Sequence, residues 1–365
     1  MRERERRRQL ASRIERFHGI ALEQVLAEIE YLRDAGDTVI AGGSLAYGLG
    51  NGLSDLDMLV ASPAAVKSSR IPLEHFLGSL RVDVWKLGQR SIEDSFGRAE
   101  EALASERPLL GDFGDSDHED EFKLLHRIAF GLVVDGGGLE LEAEGRDWRR
   151  VASGLVLREY AERMRAAALA AQLALRASRP VAAVVNARLA VENALNAALT
   201  ERGLPFISDK WLGERLEGGA PGLAALYEPF RQLPADPARE GAGFAEAALR
   251  ACAEMWELDL GLDALLALAR WHRTEDLELA TAGAEQLLLA LRSGAAWVLE
   301  EGEAEAWRRL AADDGAQDEE GWALAGRDPE EMALCVRLYE RGLLGLGWTE
   351  GVPAAALGTG RGVGA

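Results

Sequence analysis

The sequence predicts an α+β chain, a small sheet with flanking helices followed by an all-α helical domain. Three observations predict it. Short β-rich runs gather early in the chain, at Thr38–Ala41, Leu56–Val60 and Val82–Val84, with Gly, Ser or Pro between them. Helical periodicity flanks them. Beyond about Gly138 the composition shifts to Ala, Leu, Arg and Glu with almost no strand signal.

Taken in order, the start sets Arg2, Arg4, Arg6, Arg7 and Arg8 against Glu3 and Glu5, and reads as the solvated first turn of a helix. Leu22, Val25, Leu26, Ile29 and Leu32 recur every three or four positions, so residues 1–36 carry a helix packed on the sheet and ending near Gly36. The first strand breaks at Gly42-Gly43-Ser44 and a Gly-rich loop follows. In the next run Asp55 and Asp57, at i and i+2, share one strand face while Leu56 and Met58 take the other. Carboxylates so close repel, and a hard cation, usually Mg²⁺, resolves the repulsion. Ser62-Pro63 ends the strand, and Ile71–Leu87 predicts a hairpin turning at Gly78-Ser79, with Leu73–Leu77 open between strand and short helix. In its second arm Val82 and Val84 face one way and Asp83 the other; Trp85 is core or cleft wall.

The acidic run 111–121 lacks the calcium-loop pattern and reads as a solvated linker leading into a helix. Leu124, Leu125, Ile128 and Phe130 then give way to a strand at Leu132-Val133-Val134, which closes a domain spanning 37–138. Lys123 and Arg127, at i and i+4, read as surface cations, although they could reach a triphosphate. Residues 139–345 are expected to be helical throughout. One helix runs from about Ser153 to Ala177, and the next starts at Pro180 and stops at Gly203. The second has an apolar face of Val181, Val184, Val185, Leu195 and Leu199, with Arg188 and Glu192 inside it. Such a pair is internally neutralised or opens on a cleft, and a salt bridge is the first reading. Ser208 would cap a short helix around Trp211, and amphipathic helices continue from Pro221 to about Gly345. Residues 346–365 read as a disordered tail.

Sixty-one acidic against 41 basic residues give a net charge of −20, which argues against nucleic acid as the main partner. Cys252 and Cys335 form no CxxC, the five histidines have no zinc spacing, and no apolar run approaches a membrane span. A cytoplasmic chain without membrane partners is the expectation.

The pair Gly43-Ser44, a spacer from Leu45 to Ser54, Asp55-x-Asp57, and then Asp83 between Val82 and Val84 resemble the signature of the nucleotidyltransferase superfamily, which includes polymerase β and the aminoglycoside nucleotidyltransferases. The resemblance covers residues 37–87. It implies a small mixed-sheet nucleotidyltransferase domain that uses Mg²⁺ and ATP or another nucleoside triphosphate. Asp55, Asp57 and Asp83 would be metal ligands and catalytic residues, and Gly43 and Ser44 would bind nucleotide phosphates. A helical second domain looks like the kanamycin-type arrangement, in which a helical-domain glutamate, here Glu192, takes the acceptor proton. The implied reaction is transfer of AMP to a hydroxyl of a small-molecule acceptor; the alternatives are a protein acceptor, as in antitoxin-type enzymes, and a non-catalytic nucleotide-binding adaptor.

Overall fold

The computed structural model describes residues 3–63, 71–104, 116–137, 147–208, 210–273, 277–291, 294–312, 322–324, 327–341 and 343–348. They form two compact units: one holds the described residues within Met1–Ala104, Asp120–Leu155 and Phe206–Gly218, the other those within Ser105–Glu119, Val156–Pro205 and Gly219–Ala365. An α+β domain followed by a helical region is what the structure shows.

The first unit is built on a five-stranded sheet in the order β3-β4-β2-β1-β5: β1 (Thr38–Gly42), β2 (Leu56–Ser62), β3 (Leu73–Leu77), β4 (Leu80–Gly88) and β5 (Leu132–Asp135). β2 runs parallel to β4, and the other pairings are antiparallel, so the sheet is mixed. All seven residues of β2 are buried, as a central strand covered on both faces requires. Alternation sends Leu56, Met58 and Val60 with Val82 and Val84 into one core, where Leu10 and Ile14 of α1 (Glu3–His18) and Leu22 and Val25 of α2 (Leu22–Glu28) meet them. The hairpin turns at Gly78-Ser79 with Gly78 at φ +56°, and its first arm is a strand.

Two expectations for the N-terminal segment are corrected. The basic start is not wholly solvated: Arg4, Arg7 and Arg8 are exposed, but Arg6 Nη2 donates to the Phe130 carbonyl at 2.9 Å. The helix expected to reach Gly36 stops at Glu28, followed by a 3-10 turn at Glu30–Leu32.

In the second unit a helix from Pro180 to Glu201 packs along another from Pro237 to Trp256. Gly241 permits the approach, since a Cβ there would lie 3.1 Å from the Pro180 carbonyl oxygen, and Trp256 Nε1 donates to the Ala194 carbonyl at 3.3 Å. Residues 193–200 are buried on every side, whereas Val181 and Val185, expected in the apolar face, are exposed. Ser208 Oγ accepts from Lys210 N in a turn, but the helix begins at Leu212, so Ser208 is not its cap.

The expectation of helices up to Gly345 is also corrected. Between Ala269 and Trp348 lie two three-stranded antiparallel sheets, one of Leu277–Ala282, Glu285–Ala290 and Ala295–Leu299, the other of Trp322–Ala323, Ala269–Arg273 and Leu344–Trp348. A Leu-rich run such as 287–291 fits either period, and Gly283 at φ +65° turns it into a hairpin. The last strand also takes up residues 346–348, the start of the expected tail; the rest of that tail, the domain boundary near Gly138 and the side chains of the acidic run 111–121 lie outside the described residues. No described helix is long and apolar enough to cross a membrane.

Candidate active site

Gly42 closes β1 and pairs with Asp57 on β2, and Asp57 pairs with Asp83 on β4. The turn into the short helix Gly43–Ala46 needs Gly43 at φ +74°, and a Cβ there would stand 2.5 Å from Asp57 Oδ2. Only glycine satisfies both conditions, so the backbone comes directly onto a carboxylate oxygen. Ser44 follows, and its carbonyl accepts from Leu49 N at 2.9 Å and Gly50 N at 3.1 Å, which folds the Gly-rich loop back on itself.

The carboxylates form a row that crosses the sheet. Asp57, Asp83 and Glu74 are successive register partners on β2, β4 and β3, and Asp55 immediately precedes β2. Asp57 and Asp83 are buried, with side chains 7% and 5% exposed; those of Asp55 and Glu74 are 47% and 53% exposed. Burial, above all, raises the Asp57 carboxyl above its ordinary value of 3.8; nearby Asp55 and Asp83 add to the rise and Arg127 opposes it.

Two arginines pair with members of the row. Arg127 Nε donates to Asp57 Oδ2 at 3.0 Å while its guanidinium lies 4.9 Å from the centre of the Trp85 ring. Arg81 grips Asp83 with both arms, Nε to Oδ1 at 2.8 Å and Nη2 to Oδ2, and Nη2 also lies 3.8 Å from Asp55 and 3.8 Å from Glu74. Beside Arg127 in sequence, His126 stacks on Tyr47 at 5.4 Å between ring centres, and Phe206 meets both rings edge-on.

The structure therefore brings together Gly43, Ser44, Asp55, Asp57 and Asp83. Glu192 belongs to the second unit, where its Oε1 accepts from Arg188 Nε at 2.9 Å and from the Tyr227 hydroxyl at 2.7 Å. Sequence reasoning missed Glu74, Arg81 and Arg127 as members of the row. For Arg81 a signal existed, because i and i+2 on a strand share a face and Asp83 was already singled out. For Arg127 there was none, since its partner lies 70 residues away.

As to metal, the donors are hard carboxylate oxygens, and Gly43 leaves space at one of them. Among the described residues, no group of three or more His, Cys, Asp or Glu side chains is arranged to hold an ion, because the oxygens face arginines. The donor set fits a divalent cation by chemistry and register, and rotamer changes would have to free it.

No family model and no curated protein matches the chain. A nucleotidyltransferase-like protein from Exiguobacterium sibiricum 255-15 has a solved structure that is similar over 72% of this chain and 96% of its own, at 12% identity and a TM-score of 0.36. Likeness at that level says nothing of activity.

Proposed function

We propose that this chain is a nucleotidyltransferase that moves a nucleoside monophosphate, AMP from ATP, onto a hydroxyl of a small-molecule acceptor and releases pyrophosphate. One observation carries the reading: a buried Asp57–Asp83 pair on adjacent parallel strands, with the Gly43-Ser44 turn pressed against it. Asp55, Asp57 and Asp83 would hold Mg²⁺, which when bound neutralises charge on the reacting phosphate oxygens. Gly43 lets the nucleotide approach the backbone, and Ser44 offers a hydroxyl and an N–H to a phosphate. The acceptor hydroxyl forms a bond to the α-phosphorus as the bond to pyrophosphate breaks, and its proton goes to Asp83. The surplus of acid over base, −20 overall, favours a cationic acceptor.

A second reading, a nucleotide-binding adaptor without turnover, is favoured by Arg81 and Arg127 already pairing with Asp83 and Asp57. Labelled ATP, GTP, CTP and UTP with Mg²⁺, candidate small molecules and cell lysate separate the two. The expected result is label on a small molecule, abolished by Asp55→Ala and by Asp57→Ala with the fold retained. Label on a protein band would move the acceptor class; no label anywhere, or near-normal turnover in either variant, would overturn the proposal.

A further inference from the structure

Arg81 and Arg127 hold the carboxylate row in different ways. Arg127 is fixed: its guanidinium stacks on Trp85, and its stem packs so close to the backbone that a Cβ on Gly42 would come within 3.2 Å of it. Among the described residues no ring stacks on Arg81. Its side chain is 45% exposed while the carboxylate it grips is 5% exposed. A solvated arm thus lies over a fixed, buried anion. Its Nη2 sits among three carboxylates, bonded to Asp83 and 3.8 Å from both Asp55 and Glu74. Three negative groups thus surround one positive charge.

We propose that Arg81 is the internal counter-ion that a divalent cation displaces, so that arginine and metal take the Asp83 and Asp55 oxygens in turn and Arg81 sets the metal affinity of the site. The inference rests on the proposed reading of Asp55, Asp57 and Asp83 as a metal site. Both Asp83 oxygens accept from the guanidinium fork, so a metal ion bound there would sit beside the Arg81 charge, and repulsion between the two cations favours release of the fork. Arg81, lying on the exposed side of the pair, can swing into water without disturbing the core. Buried Asp83 cannot move, and the metal repays the loss by taking over its charge.

The test uses the full chain, stripped of metal and titrated with Mn²⁺, free Mn²⁺ being followed by its paramagnetic resonance signal. Arg81→Met should bind Mn²⁺ about tenfold more tightly than the unmodified protein, the order expected from one charge-assisted hydrogen bond no longer in competition. Arg81→Lys, which keeps the charge but loses the fork, should fall between them and carries the test should the methionine variant fail to fold. Metal-free Arg81→Met should melt lower, and saturating Mn²⁺ should raise its melting temperature more than it raises that of the unmodified protein. Equal or weaker binding by both Arg81 variants would overturn the inference. If Asp57→Asn still abolishes the binding, the metal-site reading survives that result; if no form binds Mn²⁺, both fall.

Discussion

Asp57 concentrates the electrostatics of the first unit in one side chain. It is buried near Asp55 and Asp83 and bonded to Arg127, and burial prevails, raising its carboxyl above its ordinary value of 3.8. A folded-state value above the unfolded one means that the folded protein holds this proton more tightly. The group therefore favours folding below the ordinary carboxylate value, and that contribution is lost as pH rises through the raised value. Asp57→Asn removes this dependence. Melting of both forms from about pH 3.5 to 7 should show the unmodified protein losing ground to the variant as pH rises; a gap that stays constant or moves the other way would remove burial as the dominant influence on Asp57. At this scale the acidic pair and its flanking valines were legible, because a strand's alternation depends only on neighbouring residues. What neutralises them was not.

Among the elements, the helix Pro180–Glu201 shows what a periodic pattern leaves open. Its first-turn proline was readable, and so was the Arg188–Glu192 spacing, which forms the expected ion pair. Tyr227 was not readable. Its hydroxyl donates to the same Glu192 oxygen, and burial together with that bond raises the Tyr227 hydroxyl above its ordinary value. Glu192→Gln weakens both contacts. The expected outcome is a loss of about 1–2 kcal/mol of stability, discounted for partial exposure, with kcat within a few-fold of normal. A fall in kcat of roughly a hundredfold or more at an unchanged melting temperature would instead make Glu192 the base. Val181 and Val185 were placed inside and lie outside, because the buried stripe of the first turns runs through Ala183, Val184, Ala187, Ala190 and Val191 instead.

For the molecule as a whole, charge is the property most directly readable. A surplus of 20 negative charges leaves little to offset phosphate repulsion, so the purified chain should not retard duplex DNA or transfer RNA in a gel at 150 mM salt, a concentration where phosphate contacts are largely screened. Retardation at that salt would point to a local basic face and reopen a nucleic-acid acceptor. By itself the sequence determined the strands β1, β2, β4 and β5 along the chain, the Gly78-Ser79 turn, the carboxylates on β2 and β4, and the helical character of residues 148–256, while β3 stayed open between strand and helix. Those features depend on residues a few positions apart, through alternation, glycine conformations and proline stops. Tertiary structure alone decided that Leu-rich runs after Ala269 pair as strands, that Glu74 joins Asp57 and Asp83 in one row, and that Arg127 reaches Asp57 across 70 residues. Each of these is a pairing between distant segments: an apolar run suits either period until a partner strand supplies its hydrogen bonds, and a buried carboxylate finds its cation only after folding brings the two together.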